Sequence, residues 1–167
     1  MDDAITKGSV WLALLAYFAV AIRPARQLHD PAFARIRWLW TIGCVCYLVH
    51  VIAAFHFDHH WNHAEAEAHT AQQTASVVGW RFGAGIWFNH LFTLLWLGDL
   101  VWMWVQPKRW FERPRALSVA WQGFFFFIVF NATVVFEDGP VRWLGLLGCF
   151  VVLFRWWKER RRRQVNG

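Results

Sequence analysis

Long apolar blocks dominate the pattern of hydrophobic and polar positions along this chain. The apolar residues form blocks without alternating charge, and they lack the strict two-residue alternation of a half-buried strand. A helix needs roughly 20 residues to cross about 30 Å of hydrocarbon. The blocks therefore predict five membrane-spanning helices, at residues 8–22, 38–57, 83–105, 117–136 and 141–157.

Composition supports the same fold class. The chain of 167 residues is 57% apolar and contains 14 Trp and 16 Phe, which excludes an ordinary soluble globular domain. No internal repeat divides it, so residues 1–167 are interpreted as a single transmembrane helical domain. We expect an all-α integral membrane protein, a bundle of about five helices whose first partner is the lipid bilayer.

Basic residues predict the orientation of this bundle. One set of connections holds 14 of the 17 Lys and Arg residues, and the other set holds three. Loops rich in Lys and Arg stay in the cytoplasm, so the N-terminus and the histidine-rich loop at 58–80 are expected outside, and the tail at 158–167 inside. A bacterial cytoplasmic (inner) membrane, with the loop on its periplasmic side, fits this pattern. The basic charge then reports topology and not nucleic-acid binding. The larger set is Arg23, Arg26, Arg35, Arg37, Lys108, Arg109, Arg113, Arg115, Arg155, Lys158, Arg160, Arg161, Arg162 and Arg163.

Histidines carry the candidate chemistry. Six of the eight lie within residues 50–69, where the second predicted span meets the outer loop. Neutral imidazole is a common metal ligand, and with carboxylate it suits zinc, copper(II) or iron(II). We predict a transition-metal site with a role in metal handling or metal-dependent redox chemistry, and with a core of His56, His60 and His63. The full candidate set is His56, His59, His60, His63, His69 and Glu67.

Two geometries are open for this cluster. If the second helix continued past the membrane, the candidate ligands would line one face of it. Asn62 and Glu65, however, have the spacing of a capping box, which would begin a new helix at His63. The second geometry bends the chain at 58–62 and lets ligands converge from several directions, and we favour it.

The segment from His56 to His60 has the form HxxHH. It is similar to the histidine boxes of membrane fatty-acid desaturases and hydroxylases, which hold two metal ions for oxygen chemistry. The similarity covers five residues, and those families carry about three boxes on the cytosolic side, whereas this chain carries one that is expected outside. Membership of that family is therefore not inferred.

Haem b is an alternative cofactor. His50 and His90 are each about seven residues from the outer end of a predicted span, so both would lie roughly 10 Å deep. Two imidazoles at one depth on neighbouring helices are what a bis-histidine haem requires. Asp58, Asn89 and Asn131 are expected to hydrogen-bond to the histidines and to orient their rings.

A non-enzymatic function is the third alternative. Here the protein would be an accessory subunit of a larger membrane complex, and its histidines a pH-sensitive contact surface for other subunits. Asp99, an acid inside the third predicted span, is a functional candidate because of that position, but a structural buried pair with Arg37, Arg155 or Thr41 is favoured. Whether the protein is an enzyme stays open at this stage.

Overall fold

Helices form all the regular structure of the described residues. The computed structural model describes residues 2–22 and 30–165, and the predicted all-α class is confirmed for them. Arg23, Arg26 and the side chain of Arg163, which entered the orientation argument, lie outside the described part. The α-helices are α1 (Asp2–Ile22), α2 (Pro31–Ala53), α3 (His63–Val78), α4 (Gly85–Val105), α5 (Pro107–Phe111), α6 (Arg115–Phe130) and α7 (Pro140–Val165), with π-helical turns at Ala54–Asp58 and Asn131–Val135.

Four helical segments of the described chain are long and apolar enough to cross a membrane. They are Ala4–Ile22, Ala32–Asp58, Arg115–Val135 and Pro140–Arg162. The fifth long helix, α4, has 21 residues, but its Asn, His and Asp side chains lower its mean hydropathy. Each predicted span falls on one of these five helices, while the crossing of α4 and the orientation stay predictions.

Several helices extend beyond the apolar segments that predicted them. α2 begins at Pro31, where Asp30 accepts a hydrogen bond from the Ala32 amide at 2.8 Å and proline occupies the first turn. α7 continues to Val165, through the basic tail. Hydropathy marks the part of a helix that suits lipid, whereas caps set where the helix begins.

Aromatic side chains fill the centre of the bundle. The ring centroids of Trp40 and Trp96 lie 4.8 Å apart, and those of Phe92 and Phe125 lie 4.6 Å apart. The buried residues of α4 recur at helical spacing, so one face of that helix enters the core. Its other face exposes large apolar side chains such as Leu94, 67% exposed.

Glycines permit two close approaches between helices. A Cβ atom on Gly145 of α7 would lie 2.7 Å from the Thr133 carbonyl oxygen, and one on Gly43 of α2 would lie 2.9 Å from the Ala16 Cβ. Small residues at such crossings let backbones pack closely in a bilayer, where burial of apolar surface supplies little driving force.

Gly83 and Gly85 contact α3. A Cβ atom on Gly83 would lie 2.9 Å from the Glu67 carbonyl oxygen, and one on Gly85 3.1 Å from Thr70 Cγ2. Gly79, at φ 83°, ends α3 in the left-handed conformation, and the following segment returns along α3 before α4 begins.

Candidate functional site

The predicted bend between the second span and the loop is confirmed. After the π-helical turn Ala54–Asp58, His60 and Trp61 adopt φ values of 48° and 59°, the left-handed region that non-glycine residues rarely enter. The Trp61 amide donates to the Phe55 carbonyl at 2.8 Å and secures this conformation. Such strain in the backbone is typical of functional segments.

Asn62 starts α3 as its N-cap. Its Oδ1 accepts hydrogen bonds from the amides of Ala64 at 3.1 Å and Glu65 at 3.4 Å, which satisfies two of the amides left free at a helix start. The Asn62 amide itself donates to the His59 carbonyl at 2.7 Å, so Glu65 does not close the second half of the capping box. The predicted start of α3 at His63 is nevertheless the one observed.

This bend gives the three predicted core histidines different partners. His56 Nδ1 accepts a hydrogen bond from Trp61 Nε1 at 3.3 Å. His60, with a side chain 76% exposed, lies 3.8 Å from the Glu65 carboxylate. His63 turns instead toward α4. A common role for these three side chains in metal binding stays a prediction.

Within the described residues, His63 and His90 form the closest contact between two histidine rings. Their Nε2 atoms lie 3.1 Å apart, and their ring planes are inclined by 32°. With neutral rings, one Nε2–H donates to the lone pair of the other. The Trp87 ring lies 5.2 Å from His63 and 5.5 Å from His90, and flanks both. Sequence reasoning missed this pair because it compared depths within predicted spans, whereas the pair forms across the α3–α4 hairpin.

His59 and His69 form a second pair, with ring centroids 5.3 Å apart. His59 Nδ1 is buried and has no hydrogen-bond partner among the described residues. Burial lowers the pKa of His59 below its ordinary value of 6.5, and the neighbouring His69 lowers it further, while Asp58 and Glu65 act in the opposite direction. The neutral imidazole of His59 is therefore favoured, which is the form that binds metals.

His50 and His90, the predicted haem ligands, have separate partners. His50 Nδ1 lies 2.9 Å from the Thr6 carbonyl oxygen, to which it donates, so α1 orients this ring. His90 is engaged by His63. A haem between them would require at least the His63–His90 contact to open, and haem binding stays a prediction.

The polar residues expected around the histidines are spread over several helices. The Asn89 backbone carbonyl accepts from Thr93 Oγ1 at 2.9 Å, and the Asn131 side chain donates to its own helix, to the Phe127 carbonyl at 2.8 Å. Glu67 packs against Gly83. Asp58, which immediately precedes His59, acts on that ring through its negative charge and favours a higher pKa.

Asp99 is half of a buried pair, as expected, but its partner is not one of the predicted residues. Its carboxylate contacts Arg113 at 2.6 Å and accepts from Trp40 Nε1 at 2.9 Å and Trp110 Nε1 at 2.8 Å. The prediction of Arg37, Arg155 or Thr41 was wrong. Arg113 follows the short helix α5, which returns the chain toward the bundle. The contact with Asp99 cannot be predicted from the spacing of nearby residues.

The structure thus brings four of the histidines together as two pairs of imidazole rings. Within residues 2–22 and 30–165, no three His, Cys, Asp or Glu side chains converge as the ligands of one metal ion do. Comparison of the chain with protein-family profiles, with curated proteins and with solved structures gives no match.

Proposed function

We propose that this protein is a small polytopic membrane protein that binds a transition-metal ion at its outer surface, with His63 and His90 as the first ligands. One observation carries the proposal, the 3.1 Å separation of their Nε2 atoms. Metal–nitrogen bonds of about 2.0–2.1 Å that meet at about 90–110° leave roughly 2.9–3.4 Å between the nitrogens. The two nitrogens are thus already at the spacing that two ligands of one ion adopt.

Ligand chemistry narrows the metal. Two imidazoles suit zinc, copper(II) and iron(II), whereas copper(I) prefers thiolate and thioether ligands. The cysteines Cys44 and Cys149 are buried in the helices, away from the loop. A dedicated copper(I) site is therefore disfavoured.

Two protein ligands leave the remaining coordination positions open. Water, a second molecule or other loop histidines would fill them, and an open position is what exchange of an ion or redox chemistry at the metal requires. Metal handling or metal-dependent redox chemistry is the proposed role. The partly buried His63 and His90 keep such an ion accessible from the aqueous side.

The proposed topology has five spans, with α4 as the third. In this topology the protein lies in a bacterial inner membrane. The N-terminus and the histidine loop face outward, and the C-terminus lies in the cytoplasm. The segregation of 14 of 17 basic residues to one set of connections supports it. So does α4, whose 21 residues are long enough to cross.

Elemental analysis of the detergent-purified protein tests the metal proposal. The His63→Gln/His90→Gln variant removes the pair, and Gln72→Ala, at an exposed position of α3, is the control. We expect near-stoichiometric zinc, copper or iron in the wild type and the control, and its loss in the double variant. Equal metal content in all three proteins, or no metal in the wild type after growth with each ion, would contradict the proposal.

A pH-sensitive accessory subunit is the second candidate, and the same distance favours it. Two protonated rings with nitrogens 3.1 Å apart would repel each other, so acid would separate α3 from α4. This function predicts a pH-dependent change of partner binding in protein stripped of metal. The metal function predicts that a chelator removes the bound ion at constant pH.

A further inference from the structure

Arg37 of α2 is a cation without a carboxylate partner in the described chain. Its guanidinium carbon lies 4.0 Å from the centre of the Trp104 ring and 5.9 Å from that of Phe33. Its Nε atom is buried and has no hydrogen-bond partner among the described residues. None of the ion pairs formed within those residues includes Arg37. A half-buried positive charge therefore stacks on aromatic rings without an anion to neutralise it.

The Trp104 ring that supports this cation is itself held in place. Trp104 Nε1 donates a hydrogen bond to Thr41 Oγ1 at 3.1 Å, and Thr41 Oγ1 donates in turn to the Arg37 carbonyl oxygen at 2.7 Å. Trp38 and Trp104 pack edge to face, with ring centroids 5.2 Å apart. The guanidinium and its aromatic support are thus positioned before a ligand arrives, which reduces the entropy lost on binding.

These side chains lie at the end of the bundle opposite the histidine loop. Trp38 begins the second predicted span, with Arg37 directly before it, and Trp104 is the second-last residue of α4. Tryptophan at the end of a span is typical of the membrane–water interface, where lipid headgroups lie. In the proposed topology this interface belongs to the cytoplasmic leaflet. An arginine at that depth is within reach of a lipid phosphate.

Positive charge surrounds this end of α2. Phe33, which contacts Arg37, lies 5.9 Å from the Trp110 ring of α5, so the segment 107–115 adjoins the site. Besides Arg113, which is paired with Asp99, that segment has three exposed basic side chains and one exposed acid. The basic residues are Lys108, Arg109 and Arg115, and the acid is Glu112. The surroundings therefore attract a net negative charge and repel an ammonium group.

Exposed apolar surface continues from the two tryptophans toward the middle of the spans. On α2, Ile42 and Val45 follow Trp38 at helical spacing, and both are exposed. On α4, the exposed Val101 precedes Trp104 by about one turn. The acyl chains of a phospholipid need such a surface next to the headgroup, whereas a free phosphate ion would leave it unused. The cation and the apolar surface together fit a lipid.

We propose that Arg37, supported by Trp104 and Trp38, binds the phosphate group of one anionic phospholipid such as phosphatidylglycerol. The outer guanidinium nitrogens donate to the phosphate oxygens, because Nε is covered. Zwitterionic lipids carry the same phosphate, but their ammonium group is repelled by the neighbouring basic segment. The site is independent of metal binding, and it takes from the proposed topology only the leaflet in which the lipid lies.

Native mass spectrometry of delipidated protein in non-ionic detergent tests the proposal, with titration of dioctanoyl phosphatidylglycerol or dioctanoyl phosphatidylcholine. We expect the first phosphatidylglycerol molecule to bind the wild type about tenfold more tightly than phosphatidylcholine. Arg37→Gln should abolish this preference. Arg35→Gln is the matched control, because it removes the same charge from an exposed position of α2, and it should retain the preference.

Arg37→Lys keeps the charge but loses the planar fork, so we expect an intermediate preference, which a merely structural role of Arg37 would not produce. Circular dichroism and a monodisperse elution peak establish that each variant is folded.

Three results would overturn the site. The first is a wild type without a preference for phosphatidylglycerol, and the second is an equal loss in Arg37→Gln and Arg35→Gln, which would indicate general charge attraction. The third is displacement of the lipid by inorganic phosphate at equal concentration, which would indicate a site for the free ion. Metal content, measured in the same preparations, tests the proposed function separately, because the histidines lie at the other end of the bundle.

Discussion

Arg113 and Asp99 form an ion pair inside the bundle. Arg113 Nη1 lies 2.6 Å from Asp99 Oδ1, and the two side chains are 9% and 3% exposed. Trp40 and Trp110 donate to the same carboxylate, and the guanidinium stacks on Trp110 at 4.4 Å. The buried charge of α4 is thereby satisfied, and the segment after α5 is attached to the helices.

Loss of that carboxylate should destabilise the protein. Asp99→Ala leaves the Arg113 guanidinium buried without its counter-charge, and removing one partner of a buried pair lowers the free energy of unfolding by about 3–5 kcal/mol. Thermal unfolding in detergent measures the effect. Glu112→Ala, at an exposed neighbouring acid, is the control. Equal unfolding temperatures for the two variants would contradict the structural role of Asp99.

Close packing at Gly145 predicts a second effect on stability. Gly145→Ala puts a methyl group 2.7 Å from the Thr133 carbonyl oxygen, and such overpacking lowers the free energy of unfolding by about 1–3 kcal/mol. Gly123→Ala is the matched change, because nothing lies within 4 Å of a Cβ there. It should be neutral or stabilising, since alanine favours a helix by about 0.5–1 kcal/mol. Equal stability of Gly145→Ala and Gly123→Ala would contradict the close packing at Gly145.

Lower pH should destabilise the metal-free protein through protonation of His59. Its pKa in the folded protein lies below the ordinary 6.5, so the unfolded chain binds more protons between these two values. The contribution of His59 to the free energy of unfolding is therefore fully present above about pH 6.5 and is lost as the pH falls below that value. We expect the unfolding temperature of metal-free protein to fall less between pH 7.5 and pH 5.5 in His59→Gln than in the wild type. Identical falls in both proteins would show that His59 does not contribute.

Cysteine labelling tests the orientation. Ala68 in α3 and Ala116 in α6 are both exposed, and in the proposed topology they lie on opposite sides of the membrane. A membrane-impermeant maleimide added to intact cells, with the outer membrane permeabilised, should label Ala68→Cys and leave Ala116→Cys unlabelled until lysis. The reverse pattern would place the histidine loop in the cytoplasm.

Local sequence patterns were sufficient for the helices and for the bend. Apolar blocks located all five long helices, and Asn62 located the start of α3, because hydropathy and capping depend on residues within a few positions of each other. Local patterns are less informative at α4. Its polar side chains reduce the apolar signal of a span, and nothing nearby in sequence indicates that Arg113 returns to Asp99.

Partners of individual side chains required the folded chain. The histidine-rich region was recognisable from residue order, yet the pairing of His63 with His90 follows from the reversal at Gly79 and the approach that Gly83 permits. His60 and Trp61 turn the chain, which separates His56 from His63. Contacts between residues far apart in sequence depend on how helices pack and where the backbone reverses, and these depend on shape complementarity throughout the bundle.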